Sequence, residues 1–410
     1  MSSKCEDKIF HDLHSVPRLE WTDPNALETM KKQLPVILTK TGLAGKALQK
    51  WGDLDYLAKH ISASSKFRVY FSRGHFLYCN RKDQAETPYG FESQVREESL
   101  TFVKFKELLE EKTKFCGENH VAKSNDRDAK AGGARDELIY LQQPLYAGIG
   151  KEITNDFSSI NWEWVNSMKT CLNFGELTTN TLLIGQEGSV TPLHYDEQEN
   201  FLHQIGGSKT CILFSPAHFQ YFHPFPVHHP CDRQSQFDFE AIDSDDCSIF
   251  KKLSNNVDQR GWKCVLEKGD VLYIPKYWWH HIVNSKNTST AINFWFKAPD
   301  LGENIFEHIP LVMPVMKVNL CRNVEKLAVT ELKGVRRAAL FFKHWDDLFA
   351  QMEQNAVENK PPRVNVKEFD EYFKTVITRL KLVLREEDIE SFLRNYLFSG
   401  RFSKVDLRTS

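Results

Sequence analysis

No two of the nine cysteines stand in a C-x-x-C spacing, which argues against a zinc-finger framework. Their odd number argues against a secreted scaffold of paired disulfides, so free thiols in a reducing compartment are expected. No stretch approaches the ~18 apolar residues that a membrane-spanning helix needs. The opening residues, MSSKCEDKIFHDL, contain no apolar signal region. A soluble protein of the cytoplasm and nucleus is expected, with no membrane partner. Positive charge is not in excess either: 53 Lys and Arg stand against 55 Asp and Glu, for a formal net charge of −2. Direct nucleic-acid binding needs a basic field and is therefore not expected. Aromatic residues, by contrast, are plentiful. The 410 residues include 29 Phe and 9 Trp, which favours a β-rich core with an aromatic-lined cleft.

Three regions follow from the patterning. Residues 1–137 mix short helices and strands. DPNALETMKKQLPVIL reads as a helix running into a strand, and RVYFSRGHFLYC (68–79) reads as a hairpin turning at Arg73–Gly74. TFVKFKELLEEK has helical spacing. GENHVAKSNDRDAKAGGARDE (117–137) has almost no large apolar residue and reads as a surface insertion. From 138 to 300 short β-rich segments dominate: LIYLQQ, TLLIG, TPLHYDEQENFLHQI, KTCILFS, KCVLE, DVLYIP, HHIVNS and TAINFWF. They do not alternate with long helices, so an antiparallel double-stranded β-helix of the jelly-roll or cupin type is expected. Residues 301–410 read as a helical region. Phe369, Tyr372, Phe373, Val376, Ile377, Leu380 and Leu384 form one apolar stripe, and Ile389, Phe392, Leu393, Tyr396 and Leu397 a second, with Gly400 as the stop. Asn365 with Glu368 resembles a capping box, and QNAVENKPPRVN (354–365) reads as the preceding linker.

Within TPLHYDEQENF, His194 and Asp196 stand two apart. On a strand such residues share a face about 7 Å apart and can converge on one metal ion; on a helix they diverge. His344 and Asp346 repeat the spacing inside RRAALFFKHWDDLFAQM, which reads as helix. The later stretch EKGDVLYIPKYWWHHIVN offers His280, favoured over its neighbour His281 by strand parity. Two histidines and one carboxylate on one face of an ion suit Fe(II) and leave positions open for substrate and O2. A dicarboxylate 2-oxoacid can supply the electrons that O2 activation needs, and its far carboxylate requires a cation. Lys209, just past the glycines of the apparent turn IGGSKT, meets that need if it points inward. Thr191 adds a hydroxyl.

TPLHYDEQENF, VHHPCDRQSQ, GDVLYIPKYWWHH and NFWFK together resemble the JmjC-type Fe(II)/2-oxoglutarate oxygenases. Within them the likeness is to the asparaginyl hydroxylases that act on hypoxia-inducible factor. It covers most of residues 15–300 and, more loosely, the C-terminal helices, including RNVEKL. It implies that His194, Asp196 and His280 hold iron. It assigns Tyr140, Thr191, Asn200, Lys209 and Asn293 to 2-oxoglutarate. Substrate contacts fall on Tyr78, Gln142, Asp196, Glu197, Gln198, Arg233, Gln234, Trp295 and Asn323. The implied activity is hydroxylation of an asparagine β-carbon in HIF-α-like activation segments or ankyrin-repeat proteins, with O2 as cosubstrate and a homodimer formed through the terminal helices. The pattern departs from the family at CNR after Tyr78 and at Leu202, where an aromatic is expected. The 117–137 insertion and the tail through 330–390 lie outside it. A lysyl demethylase of the same chemistry is the alternative; a non-enzymatic scaffold or a Zn- or Mn-dependent cupin isomerase would have no use for Lys209.

Overall fold

The computed structural model describes residues 13–73, 88–118, 137–146, 148–237, 261–298, 313–358 and 367–407. Its strands are β1 (His14–Ser15), β2 (Arg18–Glu20), β3 (Val36–Thr39), β4 (Lys66–Ser72), β5 (Arg96–Thr101), β6 (Leu138–Pro144), β7 (Leu177–Gly185), β8 (Val190–Tyr195), β9 (Glu199–Phe214), β10 (Trp262–Leu266), β11 (Val271–Ile274) and β12 (Trp279–Phe296). The helices are α1 (Pro24–Lys31), α2 (Lys46–Lys50), α3 (Leu54–His60), α4 (Phe102–Glu118), α5 (Lys151–Ser158), α6 (Trp162–Cys171), α7 (Phe219–Phe222), α8 (Pro314–Glu331), α9 (Val335–Glu358), α10 (Lys367–Leu380) and α11 (Glu386–Phe392). A π-helical turn, Leu393–Leu397, extends α11.

The jelly roll is built around β9 and β12, which pair antiparallel along nearly their whole length. At one end they continue into β11 and β7; at the other they continue into β10 and β8. Long strands that change neighbours halfway must bend. The bend falls at Gly207 and opposite it between Asn284 and Ala291, where the register shifts. Gly207 has φ of 63°, and a Cβ there would lie 2.5 Å from the Thr288 carbonyl oxygen, so the sharp bend requires glycine. IGGSKT is thus a bend within one strand rather than a turn between two. HHIVNS and TAINFWF likewise merge into β12, while TPLHYDEQENFLHQI divides into β8 and β9. The pairing is antiparallel except for β1 with β10 and β2 with β3.

The N-terminal strands extend this same sheet, β3 through β11 and β4 through β6. The first half of the expected 68–79 hairpin is β4, which pairs instead with β5 and β6; Gly74 and the rest of the hairpin, including Tyr78, lie outside the described residues. So do Asn365 and nearly all of 117–137. The N-terminal helices cover one face of the sheet, with Trp51, Phe67, Phe102 and Trp164 in their shared core. The C-terminal helices bury a second core against β8, β9 and β12, joining Phe369, Val376, Leu380, Phe392 and Leu397 to Tyr195, Phe214 and Trp279. Most of both expected apolar stripes is therefore packed within the chain, while Tyr372, Phe373 and Ile377 are only half-buried. Gly400 ends the helical run with φ of 83°.

Candidate metal centre and cosubstrate pocket

His194 and His280 sit directly opposite each other on β8 and β12, with ring centroids 4.0 Å apart. Asp196 lies just beyond β8, its Oδ2 3.7 Å from His280 Nε2. One ligand atom from each of the three lies within 4.8 Å of the others. Nδ1 of His194 is 2.7 Å from the Pro192 carbonyl oxygen, and Nδ1 of His280 is 2.9 Å from that of Trp278. Donation to those carbonyls leaves both Nε2 lone pairs facing the site. Burial, and then the His280 charge, pull His194 down to about 3, and burial also lowers His280. Burial pushes Asp196 up, but His194, His280 and Arg233 outweigh it and hold the carboxyl below its ordinary value. Neutral imidazoles beside a carboxylate are the protonation states a divalent cation needs.

The trio opens on a cavity of about 530 Å³ lined largely by residues of β6, β7, β8, β9 and β12. Lys209, 1% exposed, lines the same cavity. Among the described residues no carboxylate comes within ion-pair distance of its ammonium, which is held by Asn284 Oδ1 at 2.5 Å and lies 5.8 Å from the Tyr140 ring centre. Burial lowers Lys209 to about 8. A buried cation without an anion is costly, and here it faces a cavity that can admit one. The buried Oδ1 atoms of Asn200 and Asn293, both lining residues, have no hydrogen-bond partner. Tyr140 and Thr191, bonded to one another, line the same cavity. These orphaned groups and the His/Asp/His set fit 2-oxoglutarate and Fe(II).

Every expected cosubstrate residue thus lines one cavity, together with Gln142, Glu197, Gln198, Arg233, Gln234 and Trp295. Leu202, at the departure noted above, lines it as well. Residues 233–235 run alongside β8: the Tyr195 amide donates to the Arg233 carbonyl at 3.1 Å, and the Ser235 amide to that of Leu193 at 2.8 Å. Asn323, by contrast, is a half-buried residue of α8 outside the cavity lining; its neighbour Arg322, also outside the lining, bonds to Tyr195, Glu197 and Asp232. Sequence reading also missed Asn284, whose Nδ2 donates to Ser189 Oγ at 2.5 Å while its Oδ1 fixes Lys209. Neither residue belongs to a motif of ligands, because each acts by holding another side chain. The His344–Asp346 pair lies on α9, and Asp346 accepts hydrogen bonds from the Gly400 and Phe402 amides instead.

Residues 25–301 match the family model of the cupin-like domain, and the chain belongs to that family. Its relatives place it with the JmjC-type 2-oxoglutarate oxygenases, which use Fe(II), 2-oxoglutarate and O2. Lysine-specific demethylase JMJ30 of Arabidopsis thaliana is 28% identical over 263 residues, 64% of this chain and 49% of the relative. Lysine-specific demethylase 8 of Xenopus tropicalis is 36% identical over 124 residues, 30% and 25% of the two chains. tRNA wybutosine-synthesizing protein 5 of Gallus gallus is 34% identical over 172 residues, 40% and 49%. The alignments span about half of these relatives or less. None of the three bears the name of an asparaginyl hydroxylase, so they support the resemblance at the level of JmjC oxygenases.

Proposed function

We propose that this chain is an Fe(II)- and 2-oxoglutarate-dependent oxygenase acting on a side chain of a polypeptide. The observation that carries the reading is Lys209, a buried ammonium with no carboxylate partner among the described residues, in the same cavity as His194, Asp196 and His280. His194, Asp196 and His280 would hold the iron, which when bound supplies O2 activation coupled to oxidative decarboxylation of 2-oxoglutarate. Lys209 and the hydroxyls of Tyr140 and Thr191 would bind the cosubstrate's far carboxylate, and the amides of Asn200 and Asn293 its nearer oxygens. Leu183, Leu202 and Ile282 in the lining keep water from the space between them. The chain's contribution is orientation and exclusion of water.

Two substrate readings follow from different observations. The amides of Gln142, Gln198 and Gln234 with Arg233 in the lining can pair with a primary amide and its backbone, which supports hydroxylation of asparagine, in a HIF-α-like segment or an ankyrin repeat. The names of the demethylase relatives favour the other reading, removal of a lysine methyl group. The discriminating experiment is mass spectrometry of asparagine-containing and methyl-lysine peptides incubated with the protein, Fe(II), 2-oxoglutarate and O2. One oxygen gained on asparagine supports the first reading, and one methylene lost with formaldehyde released supports the second. Neither change on any candidate, with 2-oxoglutarate left unconsumed, would contradict both.

A further inference from the structure

Of the three metal-ligating residues, Asp196 is the one that strand pairing does not fix. His194 and His280 face each other in register, whereas Asp196 follows the last residue of β8 in the bend that leads to β9. We propose that Arg322, on α8 of the C-terminal helical region, is a positioning residue that holds this bend and the Arg233 loop in the arrangement metal binding requires.

Arg322 is 2% exposed although its guanidinium is permanently charged. Its Nε donates to Glu197 Oε1 at 2.9 Å and its Nη1 to the Tyr195 hydroxyl at 3.1 Å. Both sequence neighbours of Asp196 are therefore gripped by one side chain. The same guanidinium is bidentate on Asp232, at 2.7 and 2.9 Å, and Asp232 precedes Arg233, whose Nη1 lies 3.5 Å from Asp196 Oδ1. Helix α8 adds a second hold one turn earlier. Asn319 Oδ1 accepts from the Tyr277 hydroxyl at 3.2 Å, and the Tyr277 amide donates to the Asp196 carbonyl at 2.7 Å. A turn later, Lys326 Nζ stands 3.7 Å from Glu197 Oε1. Residues 319, 322 and 326 fall on one helical face. Buried ion pairs often add little to stability compared with apolar packing. A planar fork that joins carboxylates from two chain segments does fix their separation, which a lysine cannot do equally well.

The inference rests on the metal reading above, and Co(II) binding to the full chain tests the two separately. Titration of the wild type, Arg322→Gln and Asp346→Asn is done well below each melting temperature. Arg322→Gln is expected to bind Co(II) about 10–100-fold more weakly, as loss of an outer partner of a metal ligand usually does, with Arg322→Lys restoring part of the affinity. Asp346→Asn, which loosens the same helical region away from the site, is expected to lower the melting temperature and leave Co(II) affinity unchanged. A folded Arg322→Gln with wild-type affinity would overturn the proposal. So would an equal loss in Asp346→Asn, which would make the effect one of general stability. If Arg322→Gln does not fold, Asp232→Asn breaks the bidentate pair from its more exposed side and is read by the same criteria. A wild type that binds no Co(II) would overturn the metal reading, and this proposal with it.

Discussion

Lys209 shows how much one residue's chemistry depends on its surroundings. An ordinary lysine keeps its proton far above neutrality; burial brings this one down to about 8. If the ammonium holds the far carboxylate of 2-oxoglutarate, binding to the Mn(II)-loaded protein is at full strength below pH 8. Above that, binding must take up a proton, and affinity is expected to fall about tenfold per pH unit. Calorimetric titration between pH 7 and 9.5 checks this, and a flat profile would show that another group holds the carboxylate. Lys209→Met is expected to abolish the dependence and to cost about two orders of affinity, because a buried charge pair is broken on one side. Gly185 is a second test. A Cβ there would lie 2.0 Å from Asn284 Nδ2 and 2.7 Å from the Tyr140 ring. Overpacking of about 1–3 kcal/mol at the two groups around Lys209 predicts that Gly185→Ala weakens 2-oxoglutarate about tenfold while Mn(II) affinity is unchanged. A loss confined to Mn(II) would contradict that assignment. At this scale the ligands were legible because H-x-D and an inward lysine are unusual on strands. Asn284 and Arg322 were not, because their partners lie 75 and 125 residues away in sequence.

Among the elements, identical spacings gave opposite outcomes. His194 and Asp196 converge because β8 ends between them and turns; His344 and Asp346 ride on α9, where the period is 3.6. The apolar periodicity around each pair told them apart in the sequence. What it did not tell was the long bent strands, because Gly206–Gly207 reads locally as a turn and only the pairing of β9 with β12 carries the backbone through it. Asp346 has a structural role of its own. Burial raises its carboxyl to about 7, although the Gly400 and Phe402 amides oppose the shift. A carboxyl whose folded pKa is raised stabilises most below its unfolded value, near 4, and loses that contribution as pH rises to 7. The stability of the wild type relative to Asp346→Asn is therefore expected to fall by roughly 3 kcal/mol between pH 4 and 7. Urea unfolding of both proteins across that range measures it, and a difference that grows with pH would contradict the assignment.

For the molecule as a whole, the C-terminal helices belong to the same folded unit as the barrel. Leu393 and Leu397, which their stripe suggested for an interface with a second copy, are 6% and 0% exposed within the single chain, packed in one core with Trp279 and Tyr195. Leu397→Arg would bury a charge without a partner and is expected to unfold or aggregate. A folded monomer by circular dichroism and light scattering would instead make that face an interface. The helical stripes could be read from sequence, but their partner could not, because apolar periodicity marks a face to be covered without saying what covers it. The proposed 2-oxoglutarate oxygenase activity rests on one metal site and the buried Lys209 ammonium in one cavity. It is tested most directly by following conversion of 2-oxoglutarate to succinate by the wild type and by Asp196→Ala, with Fe(II) and O2, against a protein-free blank. Conversion well above the blank is expected from the wild type, and none above it from folded Asp196→Ala. Equal conversion by the two proteins, or none by the wild type, would contradict it.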